Sequence, residues 1–175
     1  MNLAFERVLP EEDEKISVIY EIIKSNGEDM FHNQGLMHWR TPYPKKSIQK
    51  NCSEREVFLA RDLDANQYVH TFQLEFTSLY ANVTQSFEMA ENGIASSVAI
   101  INKFATTPQV AGKGIGRQSI DYIEAYCRNK RISKICLDVY DKSERAIQFY
   151  TNRGFKIVGT KPTKYFTVYL MEKVL

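Results

Sequence analysis

Apolar residues recur along this chain with two different periods. In the first third, Ile16, Ile19, Tyr20 and Ile23 are spaced three or four residues apart, which predicts a helix with one apolar face. The segment 10–13, a proline followed by three acidic residues, precedes them and favours a helix start. The pair Asn26-Gly27 then predicts the end of this helix, with residues 28–43 irregular.

Short runs rich in β-branched and aromatic residues predict the strands of the first half. They lie at residues 2–8, 56–61, 68–78 and 97–106. The turn-forming segment 62–66 predicts that the second and third of these strands pair in antiparallel fashion. A short helix is predicted at 44–51, whereas the polar segment 79–95 favours no element.

The second half alternates between the two periods. It predicts a helix at 115–129, a strand at 133–140, a helix at 141–153, and strands at 156–160 and 164–173. Asp141 and Glu144 have the spacing of a capping box at the start of the second helix. Gly154 suits the left-handed position after it, and Phe155 the apolar contact beyond. This order predicts a single α/β domain over residues 1–175 with a mixed sheet, because strands and helices do not alternate regularly.

Composition narrows the function only slightly. The net charge of +2 over 175 residues is too small to indicate a nucleic-acid or membrane partner. Three cysteines without a C-x-x-C spacing, and His32 and His38 without ligand spacing, predict neither disulfides nor a metal site. We expect a cytoplasmic protein, since the first nine residues lack the pattern of a signal peptide and no apolar run has membrane length.

The segment Ala111–Gly116, with the sequence A-G-K-G-I-G, connects a predicted strand to a predicted helix. Glycines allow the backbone to approach a ligand closely, and the free N–H groups of a helix start attract anions, which predicts a phosphate site. The spacing matches neither a Walker A loop nor a dinucleotide fingerprint. A tight strand-to-helix connection without a ligand is the alternative.

The chain resembles the GCN5-related N-acetyltransferase (GNAT) family in several motifs. Its glycine segment, followed by Arg117, is similar to the family motif [QR]-x-x-G-x-[GA]. The preceding segment 104–108 looks like the family strand that ends hydrophobic-Ala-Val-x-Pro. The sequence S-E-R-A-I-Q-F-Y at 143–150 with Gly154-Phe155 resembles N-x-x-A-x-x-F-Y…G-F, and 169–173 is similar to the closing strand.

The chain departs from the family pattern at two positions. Ala111 stands where Gln or Arg is usual, and Ser143 stands where Asn is usual. The first departure has a small expected effect, because the phosphate contacts of this loop are largely made by backbone N–H groups. The Ser143 hydroxyl can still hydrogen-bond a pantetheine amide, with less reach.

The resemblance implies a mixed, mostly antiparallel central sheet flanked by helices on both faces, the acyl-CoA N-acyltransferase fold. It implies transfer of an acetyl group from acetyl-CoA to a primary amine of a small molecule or peptide. The co-substrate would lie between the strand ending at Thr106 and the strand from Ser133, with an N–H of the first strand stabilising the oxyanion. The residues implied to contact it are Phe104, Ala105, Thr106, Ala111, Gly112, Lys113, Gly114, Ile115, Gly116, Arg117 and Ser143.

The resemblance also indicates candidates for the chemistry. Tyr150 matches the position of a general acid, because a tyrosine of pKa ~10 is protonated at neutral pH and can donate to a thiolate. Its alternative role is a core aromatic. The general base is left open between Glu75, Glu88, His70 and ordered water.

Trp39 and Tyr43, in a W…YP pattern, are candidates for the acceptor pocket, with core packing as the alternative. A module that binds CoA or acyl-CoA without catalysis is the competing function, because residues 102–104 contain no carboxylate. Nucleotide binding at the glycine segment is a third possibility. Dimers are common in the family, so a homodimer is compatible with the resemblance.

Overall fold

The computed structural model describes residues 2–39, 43–78 and 97–175. The predicted polar segment 79–95, which includes Glu88, therefore lies outside the described residues. The strands are β1 Leu3–Val8, β2 Glu56–Asp62, β3 Gln67–Ser78, β4 Ser97–Thr106, β5 Lys134–Tyr140, β6 Lys156–Pro162 and β7 Thr167–Val174. The α-helices are α1 Asp13–Gln34, α2 Lys45–Glu54, α3 Ile115–Asn129 and α4 Glu144–Asn152, with 3₁₀ turns at Met37–Trp39 and Pro108–Val110.

The strands of the described residues form a seven-stranded sheet in the order β1-β2-β3-β4-β5-β7-β6. Pairing is antiparallel between β1 and β2, β2 and β3, β5 and β7, and β6 and β7. The β4–β5 pair is parallel and covers Val98–Ile101 and Lys134–Leu137. The sheet is thus mixed and mostly antiparallel, as the order of the elements and the family resemblance predict.

The chain divides into two compact units. The first comprises Met1–Leu74 and Asn102–Ser119. Its core joins the apolar face of α1 and α2 to β2 and the second half of β4, through Ile16, Ile48, Leu59 and Ala105 among others. Because isoleucines at helical spacing fill this core, the period of the sequence found the buried face of α1 correctly.

The second unit comprises Glu75–Ile101 and Ile120–Leu175. Val98, Cys136, Val168 and Leu170 form a buried cluster within it, from strands β4, β5 and β7. All three cysteines of the chain are buried and free. Burial raises the pKa of the Cys136 thiol to about 12, so this residue serves packing rather than chemistry.

Helix α1 does not end at Asn26-Gly27, so that prediction is wrong. The helix continues to Gln34 and ends at Gly35, which adopts the left-handed conformation with φ 66° and donates its N–H to Phe31. Gly27 instead makes room for a neighbour: a Cβ at this position would lie 2.6 Å from Cε3 of Trp39. A residue with a side chain would therefore clash with Trp39 at this position, and the local sequence does not indicate this contact.

The capping box at Asp141 is also wrong. Helix α4 begins at Glu144 with Ser143 in the N-cap position, and no side-chain hydrogen bond caps it. The other end is as predicted: Gly154 has φ 87°, and Phe155 is 1% exposed. Its N–H donates to the carbonyl of Tyr150, which closes the helix with a left-handed glycine.

Candidate functional site

The glycine segment forms an exposed loop that leads into α3. Gly112 and Gly114 have φ values of 79° and 83°, and nothing lies within 4 Å of a Cβ built on either. Positive φ is costly for other L-residues, so both positions need glycine for conformation rather than for internal packing. The open space beside them leaves room for a ligand.

The start of α3 presents several N–H groups without a backbone partner. Gln118 donates to the carbonyl of Gly114, and Lys113 donates to that of Val110. Within residues 2–39, 43–78 and 97–175, no acceptor is found for the N–H groups of Gly114, Ile115, Gly116 and Arg117. Buried Ile115 anchors the first turn, so these donors are held on a fixed element, with the positive end of the helix dipole behind them.

The second half of β4 also belongs to the first unit. It contains the other residues of this unit that are predicted to bind the acetyl donor. Ala105 is buried in the core, whereas Phe104 packs edge-on against His70 with ring centroids 4.4 Å apart. Thr106 is the last residue of the strand, and the next N–H, of Thr107, donates to the carbonyl of Val69.

Thr106 is fixed from two elements. Nδ2 of Asn26 in α1 donates to its carbonyl at 3.0 Å. Nδ1 of His70 in β3 lies 2.8 Å from its Oγ1, within hydrogen-bonding distance. The end of β4 is therefore held by a helix on one side and by a neighbouring strand on the other.

His70 is unsuited to act as the general base. Its side chain is fully buried, and this burial lowers the pKa of the imidazole to about 3. The ring is neutral at physiological pH but is far too weak a base to hold a proton there. Its contacts with Phe104 and Thr106 indicate a positioning role instead.

Lys103 has an unusual backbone conformation for a strand residue, with φ 48°. Its Nζ donates to Oδ1 of Asn51 at 2.9 Å and lies 4.5 Å from the ring centroid of Tyr43. Burial, together with the charge of Arg55, lowers the pKa of the Lys103 ammonium.

The two residues expected to line the acceptor pocket are in contact. The rings of Trp39 and Tyr43 are perpendicular with centroids 5.9 Å apart. Trp39 is half-buried against the core of the first unit, whereas Tyr43 is 46% exposed. Packing accounts for much of Trp39, but it does not account for the exposed ring of Tyr43.

Tyr150, the predicted general acid, and Ser143, predicted to contact the co-substrate, belong to the second unit. Tyr150 is 8% exposed and packs edge-on against Phe149 and Phe155. Burial, followed by the charge of Asp138, raises the pKa of its hydroxyl above the usual value. Tyr150 therefore keeps its proton across the neutral range.

Ser143 is buried at the N-cap position of α4. Its N–H donates to the carbonyl of Tyr140, and its carbonyl accepts from Ile147. The N–H and the carbonyl of Ser143 are thus both hydrogen-bonded at the start of the helix, while its hydroxyl makes no capping hydrogen bond.

The structure also limits other kinds of site. Among the described residues, no group of three or more His, Cys, Asp or Glu side chains is arranged to hold a metal ion. None of the helices in that part of the chain combines the length and apolar character that a membrane span requires.

Comparison with known proteins decides the family. A model of the acetyltransferase (GNAT) family matches residues 36–155, which is more than half of the chain. The protein belongs to the GNAT acetyltransferase family. Its membership confirms the predicted N-acetyltransferase activity and acetyl-CoA as the co-substrate. No curated protein matches this GNAT acetyltransferase in sequence.

Solved structures support the same fold at low sequence identity. NAA60 of Arabidopsis thaliana in complex with acetyl-CoA is 13% identical, with a TM-score of 0.75 and 99% coverage of both chains. The ribosomal-protein-S18-alanine N-acetyltransferase of Escherichia coli is 13% identical, with a TM-score of 0.68 and coverage of 99% of this chain and 94% of its own. The PaiA N-acetyltransferase of Thermoplasma acidophilum in complex with coenzyme A is 15% identical, with a TM-score of 0.70 and full coverage of both chains.

Motifs in the sequence singled out the glycine segment, the end of β4 and Tyr150, and their roles stay predictions. They did not indicate Asn26, which hydrogen-bonds Thr106, or Asn51, which hydrogen-bonds Lys103. They indicated His70 as a candidate general base and not as a positioning residue. The signal at Asn26 was interpreted as a helix end, and nothing in the sequence marks Lys103 as a residue of positive φ.

Proposed function

We propose that this GNAT enzyme transfers the acetyl group of acetyl-CoA directly to a primary amine of a small molecule or peptide, with the residue roles given below. The observation that carries the proposal is the glycine loop. It offers consecutive N–H groups without a partner among the described residues, at the start of α3, and a pyrophosphate is the anion that such an array suits.

In the proposed complex, the pyrophosphate binds N–H groups within Gly112–Arg117, chiefly those of Gly114 to Arg117, which have no partner among the described residues. Lys113 and Arg117 are exposed and add positive charge. Ala111 is tolerated at the head of the loop because backbone groups make the contacts. The pantetheine arm follows the backbone of Phe104–Thr106 as an added strand, and the Ser143 hydroxyl binds one of its amides.

The chemical step forms a C–N bond and breaks a C–S bond. The neutral amine attacks the thioester carbon, and an N–H of the Phe104–Thr106 segment stabilises the oxyanion. As the tetrahedral intermediate collapses, the CoA thiolate leaves and takes a proton from Tyr150. The tyrosinate regains that proton from the solvent, which also receives the proton lost by the new amide nitrogen.

We assign no side chain as the base. The chain has no carboxylate from Val98 to Ile120, and His70 is too weakly basic. Glu75 and Glu88 stay candidates from the sequence alone. We propose ordered water as the acceptor of the amine's proton, so that only the neutral fraction of the amine reacts. An alkyl amine has a pKa of ~10.4, so kcat/KM should rise about tenfold per pH unit between roughly pH 6.5 and 8.5.

The class of acceptor amine is inferred from structures of similar fold, and the cellular compartment from the cysteines. The solved structures of similar fold include an enzyme named for a protein alanine and one named as a phosphinothricin N-acetyltransferase, so both peptide and small-molecule amines are candidates. Three free, buried cysteines suit a reducing compartment, and we propose the cytoplasm.

Replacing Tyr150 with Phe tests the proposal. We expect kcat to fall about 100-fold or more, because the thiolate loses its proton donor, while the Kd for CoA changes by less than about twofold. Tyr122→Phe is the matched control, since Tyr122 lies on α3 and stacks on Tyr126. A kcat within about threefold of wild type would remove Tyr150 from the mechanism.

Residues 102–104 contain no carboxylate, so a protein that binds CoA without catalysis is the competing function, and it can be tested. Tight CoA binding without acetylation of any amine in a broad panel would favour a CoA-binding module. Competition by ATP at an affinity similar to that of CoA would favour a nucleotide site.

A further inference from the structure

Lys103 is a partly buried cation that lacks a carboxylate partner among the described residues. It stands in β4 directly before Phe104, in the segment proposed to hold the acetyl donor. No ion pair joins its ammonium to an acidic side chain in that part of the chain. The nearby charge that acts on it is positive, that of Arg55.

The surroundings of Lys103 hold the ammonium in place without neutralising it. Oδ1 of buried Asn51 accepts one hydrogen bond from Nζ, and the face of Tyr43 covers another side. Both contacts orient a cation, but neither carries a negative charge. Since an ammonium has three donors, two remain for other acceptors.

The backbone also favours a specific role for this side chain. Lysine has no preference for positive φ, yet Lys103 adopts φ 48° inside a strand. Such conformations are unfavourable and persist where the surroundings determine them. Here Asn51 and Tyr43 determine where the ammonium lies.

We propose that Lys103 binds an anionic group of the acceptor, a carboxylate or a phosphate, and so selects amines that carry a negative charge. This inference rests on the proposed function and deepens it. Among the described residues, the groups around this partly buried cation are neutral or positively charged, so it gains most from an anionic ligand. Of the expected acceptor-pocket residues, Tyr43 covers this ammonium and Trp39 packs against Tyr43, so one region would hold both the apolar part and the charge of the acceptor.

Matched acceptors with and without the charge provide the experiment. Free amino acids are compared with their amides, and phosphoethanolamine with ethanolamine, which separates a carboxylate from a phosphate as the ligand. We expect wild-type kcat/KM, expressed per neutral fraction of each amine, to favour one charged series by about tenfold or more. The Lys103→Gln variant should lose this preference to within about threefold while it still acetylates the neutral partners.

Two further variants separate charge from structure. Lys103→Arg keeps the charge and should keep the preference for charged acceptors. Lys46→Gln removes the charge of an exposed lysine on α2 and should change nothing. If Lys103→Gln does not fold, as judged by circular dichroism, Lys103→Met takes its place, because it removes the charge and keeps an unbranched apolar side chain.

Equal kcat/KM for charged and neutral acceptors, or a preference that survives in Lys103→Gln, would overturn the inference and leave the acetyltransferase function intact. If no amine is acetylated, the proposed function fails, and Lys103 is examined by labelling with acetic anhydride and peptide mass spectrometry. Protection by the charged compounds and not by their neutral partners supports the anion site, whereas equal labelling overturns it. Acetylation of Lys103 by acetyl-CoA itself would also overturn it, because the residue would then be an acceptor.

Discussion

Replacing Gly112 with alanine should weaken CoA binding through the backbone alone. The left-handed conformation costs an L-residue about 1–2 kcal/mol, and the exposed loop has no packing around Gly112 that would enforce it. In the free enzyme, the alanine variant should relax toward negative φ and move the N–H groups away from their array. CoA must then restore the array, and the same free energy raises its Kd about 5- to 30-fold.

The assay compares two acetyl donors. Acetyl-CoA contains the pyrophosphate, whereas acetyl-pantetheine does not, so only acetyl-CoA should respond to Gly112→Ala. Gly35→Ala is the matched control, because Gly35 also has positive φ, 66°, and nothing within 4 Å of a built Cβ. It closes α1 rather than the loop, so its cost should appear as a lower melting temperature with an unchanged Kd for CoA.

The reasoning would be refuted by either of two results. A Kd for CoA that stays within about twofold of wild type in Gly112→Ala would mean that the array is not used. An equal loss for acetyl-pantetheine would place the effect on the pantetheine site or on folding instead.

Two further predictions concern stability. Gly27→Ala should lower the melting temperature, because the new methyl would lie 2.6 Å from Trp39 and overpacking costs about 1–3 kcal/mol, which outweighs a gain of about 1 kcal/mol in helix propensity. In a Trp39→Leu background the same substitution should raise the melting temperature. A decrease in both backgrounds would contradict the packing argument. Hydrogen bonds from Lys15 and then Tyr68 lower the pKa of Glu6 below its ordinary 4.5, so Glu6 stabilises the fold above that pH and this contribution is lost as the pH falls through the lowered pKa. Thermal melts between about pH 6 and 3 should therefore fall less steeply in Glu6→Gln, and identical slopes would refute the assignment.

Local sequence predicted the elements whose cause is local. The end of α4 at Gly154 follows from the conformation that glycine allows, and the antiparallel pair β2–β3 follows from two alternating runs around one turn. The glycine loop belongs to the same group, because its residues and the helix that they begin are contiguous. Each of these needed only a few neighbouring residues.

A contact between distant residues accounts for the error at Gly27, and other such contacts could not be predicted. Gly27 resembled a helix end because its reason for being glycine, Trp39, lies in another element. The partners of Thr106, Asn26 and His70, are 80 and 36 positions away in sequence. No periodicity in the chain indicates such pairs, since they depend on how helices and strands pack.

The two-sided support of Thr106 has a consequence for protein engineering. A substitution that shifts α1, made for instance to change acceptor preference near Trp39, would pull on the end of β4 through Asn26. His70, in β3, would resist that shift through its Nδ1 contact with Thr106, and because burial lowers the pKa of its imidazole, the ring stays neutral near pH 7. Directed-evolution libraries should therefore vary Asn26, His70 and Thr106 together, because changing one of them alone would leave its partners arranged for a residue that is no longer there.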